Sequence, residues 1–101
     1  MLSKFGLISM NNDNYWFVYI INTSCDKLYT GITVNVERRF KEHCDVYHGL
    51  GTKGAKFFRG HKPSEVVYLE KYNSRSDASK REYHIKSMNK RDKISLIGLI
   101  S

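Results

Sequence analysis

The stretch YWFVYIINTSCDKLYTGI, residues 15–32, decides the fold of this chain. Residues 15–21 are seven consecutive apolar or aromatic residues, a short run typical of a central strand covered on both faces. The polar residues 22–27 supply turn chemistry, and residues 28–32 then predict the returning strand of a hairpin. The sequence therefore predicts a sheet whose first two strands form a hairpin.

A helix is expected directly after the hairpin. Asn35 is a good N-cap, and the apolar spacing after it predicts a helix that runs to about residue 47. Its predicted core-facing residues are Val36, Phe40, Cys44 and Tyr47. Arg39 and His43 each precede a residue of this stripe, and their spacing of four places them together on an adjoining face.

Three further elements complete the order. Residues 65–72 predict a third strand, and Ser74 or Ser76 is expected to cap a second helix. Asn89, with Asp92 three residues on, is expected to cap a third helix. The order β-β-α-β-α-α places the chain in the α+β class, as a small sheet with flanking helices.

Glu82 occupies a position where an apolar residue is expected. The inward stripe of the second helix runs Ala78, Glu82, Ile85 and Asn89, at spacings of four, three and four. A buried and unpaired carboxylate would cost on the order of several kcal/mol, a large part of the stability of a small domain. Glu82 is therefore expected to face a cleft, a cation or a metal ion.

The composition limits the class of protein. A chain of 101 residues, 41% of them hydrophobic, is long enough for one domain with one core. No apolar run approaches the length of a membrane span, and the start of the chain lacks the basic-then-apolar order of a signal peptide. We expect a soluble cytoplasmic protein without a membrane partner. Residues 1–14 are expected to form a loose N-terminal arm and residues 15–101 the domain.

The charge balance indicates a polyanionic partner. Seventeen Lys and Arg against ten Asp and Glu give a formal net charge of +7. Residues 49–62 combine four glycines, four cations and no acid, and such a loop can contact phosphates and stack on bases. The nucleic-acid-binding residues predicted from it are Lys53, Lys56, Phe57, Arg59 and Lys62. The alternative is a solvated loop whose Phe57 and Phe58 side chains belong to the core.

Five residues from separate segments bear groups that phosphodiester chemistry uses: Tyr19, Tyr29, Arg39, His43 and Glu82. An arginine can hold a phosphate bidentately and oppose its growing negative charge. One carboxylate can anchor a single divalent cation that keeps most of its waters. A tyrosine or histidine within reach can take the proton from an attacking water. The residues alone therefore indicate a nucleic-acid-binding domain with a hypothetical site.

Two triplets resemble the signatures of the GIY-YIG nuclease superfamily. Residues 17–19 (Phe-Val-Tyr) match the first triplet, with phenylalanine in place of its first glycine, and residues 29–31 (Tyr-Thr-Gly) match the second. The arginine of the family lies ten residues beyond the second signature tyrosine and corresponds to Arg39. Its helical Tyr or His partner, four residues further on, corresponds to His43.

Longer strings look like the small single-domain branch of that superfamily, often labelled YhbQ-like. They are residues 29–43 (YTGITVNVERRFKEH), residues 54–57 (GAKF) and the A-x-x-x-E-x-x-I helix of residues 78–85. The resemblance covers roughly residues 15–97, and several linked motifs at fixed spacing make chance agreement improbable. It implies a three-stranded antiparallel sheet with flanking helices.

The resemblance also implies an activity, the metal-dependent hydrolysis of DNA phosphodiester bonds by an endonuclease. Mg²⁺ or Mn²⁺ would be the cofactor, DNA the partner, and single-stranded or branched DNA the candidate targets. By the same resemblance, Arg39 would bind phosphate and Glu82 would hold the metal. Tyr19 would be the general base, with Tyr29 beside it and His43 assisting.

Two alternatives stay open at the level of sequence. One is a catalytically silent nucleic-acid-binding module, and the other is a subunit of a DNA-repair complex. Specificity is expected to come from residues 49–62, from residues 1–14, from a homodimer or from a partner protein.

Overall fold

The computed structural model describes residues 14–98, in the predicted order of elements. The strands are β1 (Trp16–Thr23), β2 (Leu28–Thr33) and β3 (Pro63–Tyr72), and the helices are α1 (Val36–Tyr47), α2 (Arg75–Lys86) and α3 (Lys90–Gly98). A short 3-10 turn, Lys56–Arg59, precedes β3. The predicted α+β class is confirmed. The arm predicted for residues 1–14 lies outside the described residues except for Asn14.

The sheet has the strand order β2-β1-β3, and both strand pairs are antiparallel. Since β1 is central, successive residues along it enter the cores on the two opposite faces of the sheet. Tyr19 and Ile21 pack on the face covered by α1 and the 3-10 turn, whereas Val18 and Ile20 pack on the face covered by α2 and α3. The apolar run of β1 thus fills both layers, as its composition predicts.

The local signals for helix starts are confirmed. The side chains of Asn35, Ser74 and Asn89 each accept a hydrogen bond from the backbone N–H three residues on, at 2.9, 3.1 and 2.8 Å. Each cap satisfies a donor that the helix itself cannot reach. Of the two candidates for α2, the cap is therefore Ser74. None of the helices within residues 14–98 is long and apolar enough to cross a membrane.

The buried face of α1 differs from the predicted stripe. Val36 is buried and the partly buried Phe40 packs against the core, as predicted. Cys44 is only partly buried and Tyr47 is 39% exposed, so the prediction of core positions for these two residues is wrong. His43 and Val46 are buried as well. Burial of His43 is acceptable because the imidazole finds hydrogen-bond partners inside the protein. An apolar period cannot detect a polar residue of this kind.

The position of α2 agrees with the prediction. Ala78 and Ile85 are fully buried, and the partly buried Glu82 lies between them on the same side of the helix. A dense polar network anchors this helix to β3, where both carboxylate oxygens of Glu70 accept hydrogen bonds from Arg81 at 2.9 to 3.1 Å.

The hydroxyls of Tyr68 and Tyr72 also donate to the Glu70 carboxylate, Tyr72 at 2.6 Å. Three side chains from two elements thus converge on one anion, which fixes the turn of α2 that carries Arg81. Glu82 follows Arg81 directly in sequence, so this network also sets the place from which the Glu82 carboxylate projects.

Candidate active site

Tyr19 and Gly31 are paired across β1 and β2. The Tyr19 ring is 1% exposed and lies directly over Gly31. A Cβ atom at Gly31 would stand 2.5 Å from the Tyr19 hydroxyl oxygen and 2.7 Å from the ring carbon that bears it. Glycine is therefore needed for this close approach. The glycine of one signature triplet makes the space for the tyrosine of the other.

The Tyr19 hydroxyl meets His43 of α1. The distance from its oxygen to Nε2 of His43 is 2.8 Å, and both side chains are buried. The other ring nitrogen, Nδ1, accepts a hydrogen bond of 3.1 Å from the backbone N–H of Ala55. Burial, aided by the charge of Arg39, lowers the pKa of His43 to about 3, so the ring is neutral. A neutral ring that accepts at Nδ1 carries its proton on Nε2, and His43 therefore donates to the Tyr19 oxygen.

Gly54 allows the loop to reach His43. A Cβ atom at Gly54 would stand 2.4 Å from the backbone oxygen of Glu42 and 2.8 Å from the Cα atom of His43. The loop backbone thus lies directly on α1, which brings the next amide, that of Ala55, to the imidazole. The segment predicted only to bind nucleic acid also determines which nitrogen of His43 carries the proton.

Arg39 lies one helical turn before His43, with its side chain 29% exposed. Its Nη1 donates to Oε1 of Glu42 at 2.8 Å and to the backbone oxygen of Lys53 at 2.7 Å. Burial alone would lower the pKa of Arg39, but the bond to Glu42 and the nearby Tyr19 hydroxyl raise it above its usual value. The guanidinium is therefore a permanent and oriented cation beside Tyr19.

Glu82 is a carboxylate whose charge acts on Tyr19. Burial raises the pKa of Tyr19 above its usual range, and the negative charge of Glu82 adds to this effect, while Arg39 opposes it. The Glu82 side chain is 22% exposed, and its Oε2 lies 3.2 Å from Nζ of Lys86. The expectation that Glu82 faces a cation therefore agrees with the structure.

Tyr29 lies among the rings of this region. Its ring centroid is 6.3 Å from that of Tyr19 and 5.4 Å from that of His43. The Nζ atom of Lys86 lies 5.9 Å from the Tyr29 centroid, so α2 meets the sheet at its edge strand, β2. Ring contacts thus bring together Tyr19, Tyr29 and His43, and Arg39 lies beside Tyr19. Glu82 reaches this region through its partner Lys86, which lies near the Tyr29 ring.

The predicted nucleic-acid-binding residues divide into two kinds. The cations are exposed: Lys53, Lys56, Arg59 and Lys62. Phe57 is partly buried and stacks on Tyr29 at 5.4 Å and on His61 at 4.3 Å between ring centroids. Phe58 is fully buried in the core. The four cations of the loop therefore face solvent. Phe57 instead lies between the rings of Tyr29 and His61.

Three contributors to the site were not predicted. The Ala55 amide that holds the imidazole is a backbone group, and no side-chain pattern reveals it. Glu42, which holds Arg39, and Lys86, which pairs with Glu82, do have a sequence signal, because residues three or four apart are neighbours on a helix.

The donor set fits one hydrated metal ion rather than a closed metal site. No group of three or more His, Cys, Asp and Glu side chains within residues 14–98 is arranged to hold a metal. Mg²⁺ is commonly bound by one or two carboxylates together with waters and substrate phosphates. The ammonium group of Lys86 beside Glu82 shows that a cation fits against this carboxylate. Glu82 is therefore the residue that would hold Mg²⁺ or Mn²⁺.

Comparison with known proteins agrees with this geometry. The family model of the GIY-YIG catalytic domain matches residues 15–95, a range that includes all five candidate residues. The chain belongs to the GIY-YIG superfamily. In the terms of that family, Tyr19 closes the first signature triplet, and Tyr29 and Gly31 begin and end the second.

The chain belongs to the small YhbQ-like branch of the GIY-YIG superfamily. It is 42% identical over 83 residues to the UPF0213 protein YhbQ of Escherichia coli K12, which is 82% of this chain and 77% of YhbQ. It is 44% identical over 82 residues to a UPF0213 protein of Desulfotalea psychrophila, 81% of this chain and 70% of that protein. The resemblance read from the motifs is thereby confirmed.

A solved structure supports the GIY-YIG fold. The solution NMR structure of a UPF0213 protein from Bacillus halodurans is 35% identical in sequence and matches with a TM-score of 0.52. The match covers 84% of each chain. The predicted three-stranded antiparallel sheet with helices is therefore confirmed by an independent molecule as well.

Proposed function

We propose that this GIY-YIG protein is a metal-dependent endonuclease that hydrolyses DNA phosphodiester bonds. The observation that carries the proposal is the buried Tyr19 hydroxyl, which lies 2.8 Å from Nε2 of His43 and beside the oriented cation of Arg39. The negative charge of Glu82 also acts on this hydroxyl. A phosphate ligand, a metal ligand and a proton acceptor are thus available within one site.

Arg39 binds the scissile phosphate in this proposal. Glu42 and the Lys53 backbone oxygen both bond to Nη1, so the guanidinium is oriented before the substrate arrives. An arginine whose geometry is fixed in advance loses little on binding and opposes the charge that develops on the phosphoryl oxygens.

Tyr19 takes the proton of the attacking water in its phenolate form, after its own hydroxyl proton has passed to solvent. Its raised pKa means that the hydroxyl is protonated in the resting protein, so the phenolate must be stabilised for this role. The Nε2–H of His43 and the charge of Arg39 both favour the phenolate. His43 itself has no lone pair directed at Tyr19, which favours Tyr19 over His43 as the base. A Mg²⁺ or Mn²⁺ ion held by Glu82 would supply positive charge for the leaving oxygen.

The loop cations guide the polynucleotide to this site. Lys53 connects the two regions directly, because its backbone oxygen holds Arg39 while its side chain is exposed. Phosphate contacts of this kind provide affinity without sequence information. Further selectivity would come from a homodimer or a partner protein.

A cleavage panel tests the proposal. Labelled single-stranded, duplex and flapped DNA, and RNA of the same sequence, are incubated with Mg²⁺ or Mn²⁺. Glu82→Ala and Arg39→Ala should each abolish cutting. The matched control is Glu37→Ala, which changes an exposed residue of α1 and should leave cutting within about twofold. Cutting that survives both site changes would show that another site or a contaminant is responsible.

The alternative function is a silent nucleic-acid-binding module, and the resting state of Tyr19 is the feature that favours it. A tyrosine with a raised pKa is a poor base unless the substrate and metal lower that pKa. The logarithm of the module's binding constant for DNA would fall with the logarithm of the salt concentration. The slope would be about −0.9 per phosphate neutralised on duplex or −0.7 on single strands, and no metal-dependent cutting would occur. The same panel, run beside a binding titration, separates the two functions.

A further inference from the structure

Three aromatic rings form a stack that extends from the active site into the basic loop. Tyr29 stacks on Phe57 with an interplanar angle of 30°, and Phe57 stacks on His61 with an angle of 6°. The ring distances along this stack are 5.4 and 4.3 Å. Since Tyr29 also contacts the His43 ring, the stack connects the proposed catalytic residues with His61.

His61 is held in place at the end of this stack. Its Nδ1 lies 2.9 Å from the backbone oxygen of Phe57, and because a carbonyl can only accept, Nδ1–H is the donor. This bond keeps the imidazole parallel to the Phe57 ring. Phe57 is the one described ring that contacts His61, and the side chain is partly exposed. One face of the imidazole is covered by Phe57, so a ligand ring would have to stack on the opposite face of this partly exposed side chain.

Cations lie close to His61 in sequence. Lys62 follows His61 directly and Arg59 precedes it by two residues, and both are exposed, as is Lys56 at the start of the 3-10 turn. A flat ring among cations matches an unpaired nucleotide, whose base can stack while its phosphates meet the charges. Bases inside a continuous duplex are already stacked on one another and offer no such face.

We propose that His61 is a stacking platform for an unpaired base of the substrate, close to the phosphate that is cut. It would make the protein prefer single strands and flaps to continuous duplex. The proposal rests on the nuclease function proposed above, because it describes how the same site selects its substrate.

Binding measured without divalent metal tests the platform. The probes are a fluorescent single-stranded oligonucleotide and a hairpin duplex of the same base composition, titrated by anisotropy at one salt concentration. His61→Ala should weaken binding of the single strand about tenfold and binding of the duplex by less than about twofold, since base–aromatic stacking is typically worth enough for such a loss. His61→Tyr should restore single-strand binding, because it returns a ring.

A matched control is available in His48. This histidine is exposed and contacts the ring of Tyr47, but edge-on at 83° rather than in parallel. His48→Ala should leave the affinity for both probes unchanged. If His61→Ala lowers the melting temperature by more than a few degrees, the affinities are measured with His61→Gln instead. Glutamine also lacks a ring but remains polar like histidine.

The outcomes separate this proposal from the nuclease function. An equal loss for single strand and duplex in His61→Ala, or no recovery in His61→Tyr, would overturn the platform. Lys56→Ala and Arg59→Ala would then still weaken binding of both probes, and nucleic-acid binding would stand. If the wild-type protein bound neither probe, the platform would be overturned, and the cleavage panel with Mg²⁺ or Mn²⁺ would decide the nuclease function by itself.

Discussion

The Tyr19 hydroxyl receives a hydrogen bond from His43, at 2.8 Å, and does not donate one to it. The direction follows from Ala55, whose backbone N–H occupies the other ring nitrogen and leaves the imidazole proton on the side of Tyr19. In a pair where histidine is the base, the donor and acceptor are reversed. His43 therefore stabilises negative charge on Tyr19, and this role differs measurably from that of a base.

Replacing His43 by glutamine should preserve most of the activity. The glutamine amide has both a donor for Tyr19 and an acceptor for the Ala55 amide, but it cannot take up a proton. Cleavage by His43→Gln should stay within about tenfold of wild type, whereas His43→Leu, which offers no donor, should lose about 10²-fold. Initial rates under substrate excess give the comparison, with melting temperatures as the folding control. Equal large losses in both variants would show that His43 is itself the base.

The buried neutral imidazole should make stability depend on pH. The pKa of His43 is lowered to about 3 in the folded protein, against an ordinary value of about 6.5 in an unfolded chain. Between these values the unfolded state binds more protons, so the free energy of unfolding falls as pH falls. From pH 7 to pH 5, above the range in which most carboxylates titrate, His43 should account for a loss of about 2 kcal/mol. Urea unfolding at the two pH values measures this loss.

His43→Gln provides the reference for that pH dependence. The variant lacks the titrating group, so its free energy of unfolding should change by about 2 kcal/mol less than that of the wild type over the same range. The same dependence in both proteins would mean that His43 is not the residue responsible.

Replacement by alanine should be costly at Gly31 and nearly neutral at Gly60. At Gly31 the new Cβ atom would stand 2.5 Å from the Tyr19 hydroxyl oxygen, so the buried ring must move. Gly31→Ala should therefore cost about 1–3 kcal/mol of stability and most of the cleavage activity. A Cβ atom at Gly60 meets nothing within 4 Å, so Gly60→Ala should change neither quantity by much. Thermal melts and cleavage rates test the pair, and a silent Gly31→Ala would contradict the close approach.

The fold was largely predictable because its signals are local. The unbroken apolar run of β1 predicts a central strand, and Asn35, Ser74 and Asn89 supply N-caps that bond three residues on. Each of these features depends on neighbours in sequence, which a single chain displays directly. The burial of His43 in α1 was missed because it depends on distant groups, the Tyr19 hydroxyl and a loop amide.

The composition of the site could be predicted better than its internal contacts. Tyr19, Tyr29 and Arg39 lie together as the motifs indicate, since their types and spacing are visible in the sequence. The direction of the hydrogen bond to Tyr19 was left open by the sequence. It depends on a backbone amide of Ala55, brought to α1 by a glycine, and such contacts exist only in three dimensions.

The Glu70 carboxylate should contribute to stability, whereas the Glu82 carboxylate should contribute to metal binding and cutting. Glu82 pairs with the exposed Lys86, so Glu82→Gln should leave the melting temperature unchanged or raise it while removing Mn²⁺ binding and cutting. Glu70 accepts hydrogen bonds from Arg81 and Tyr72 as well as from a second tyrosine, so Glu70→Gln should cost about 1–3 kcal/mol. Thermal melts and Mn²⁺ titrations distinguish them. A strongly destabilised Glu82→Gln would make Glu82 a structural residue.

Lys86 should compete with a divalent cation for Glu82. Its ammonium lies 3.2 Å from Oε2 of Glu82, close to the place where a metal would bind to this carboxylate. Lys86→Met retains an unbranched side chain near Tyr29 and removes the charge, so Mn²⁺ should bind about twofold more tightly, as expected for an exposed pair worth about 0.5 kcal/mol. Lys80→Met removes an equal charge from the same helix, and its effect on Mn²⁺ affinity measures the general electrostatic contribution. Equal changes in the two variants would mean that the pairing of Lys86 with Glu82 does not hinder metal binding.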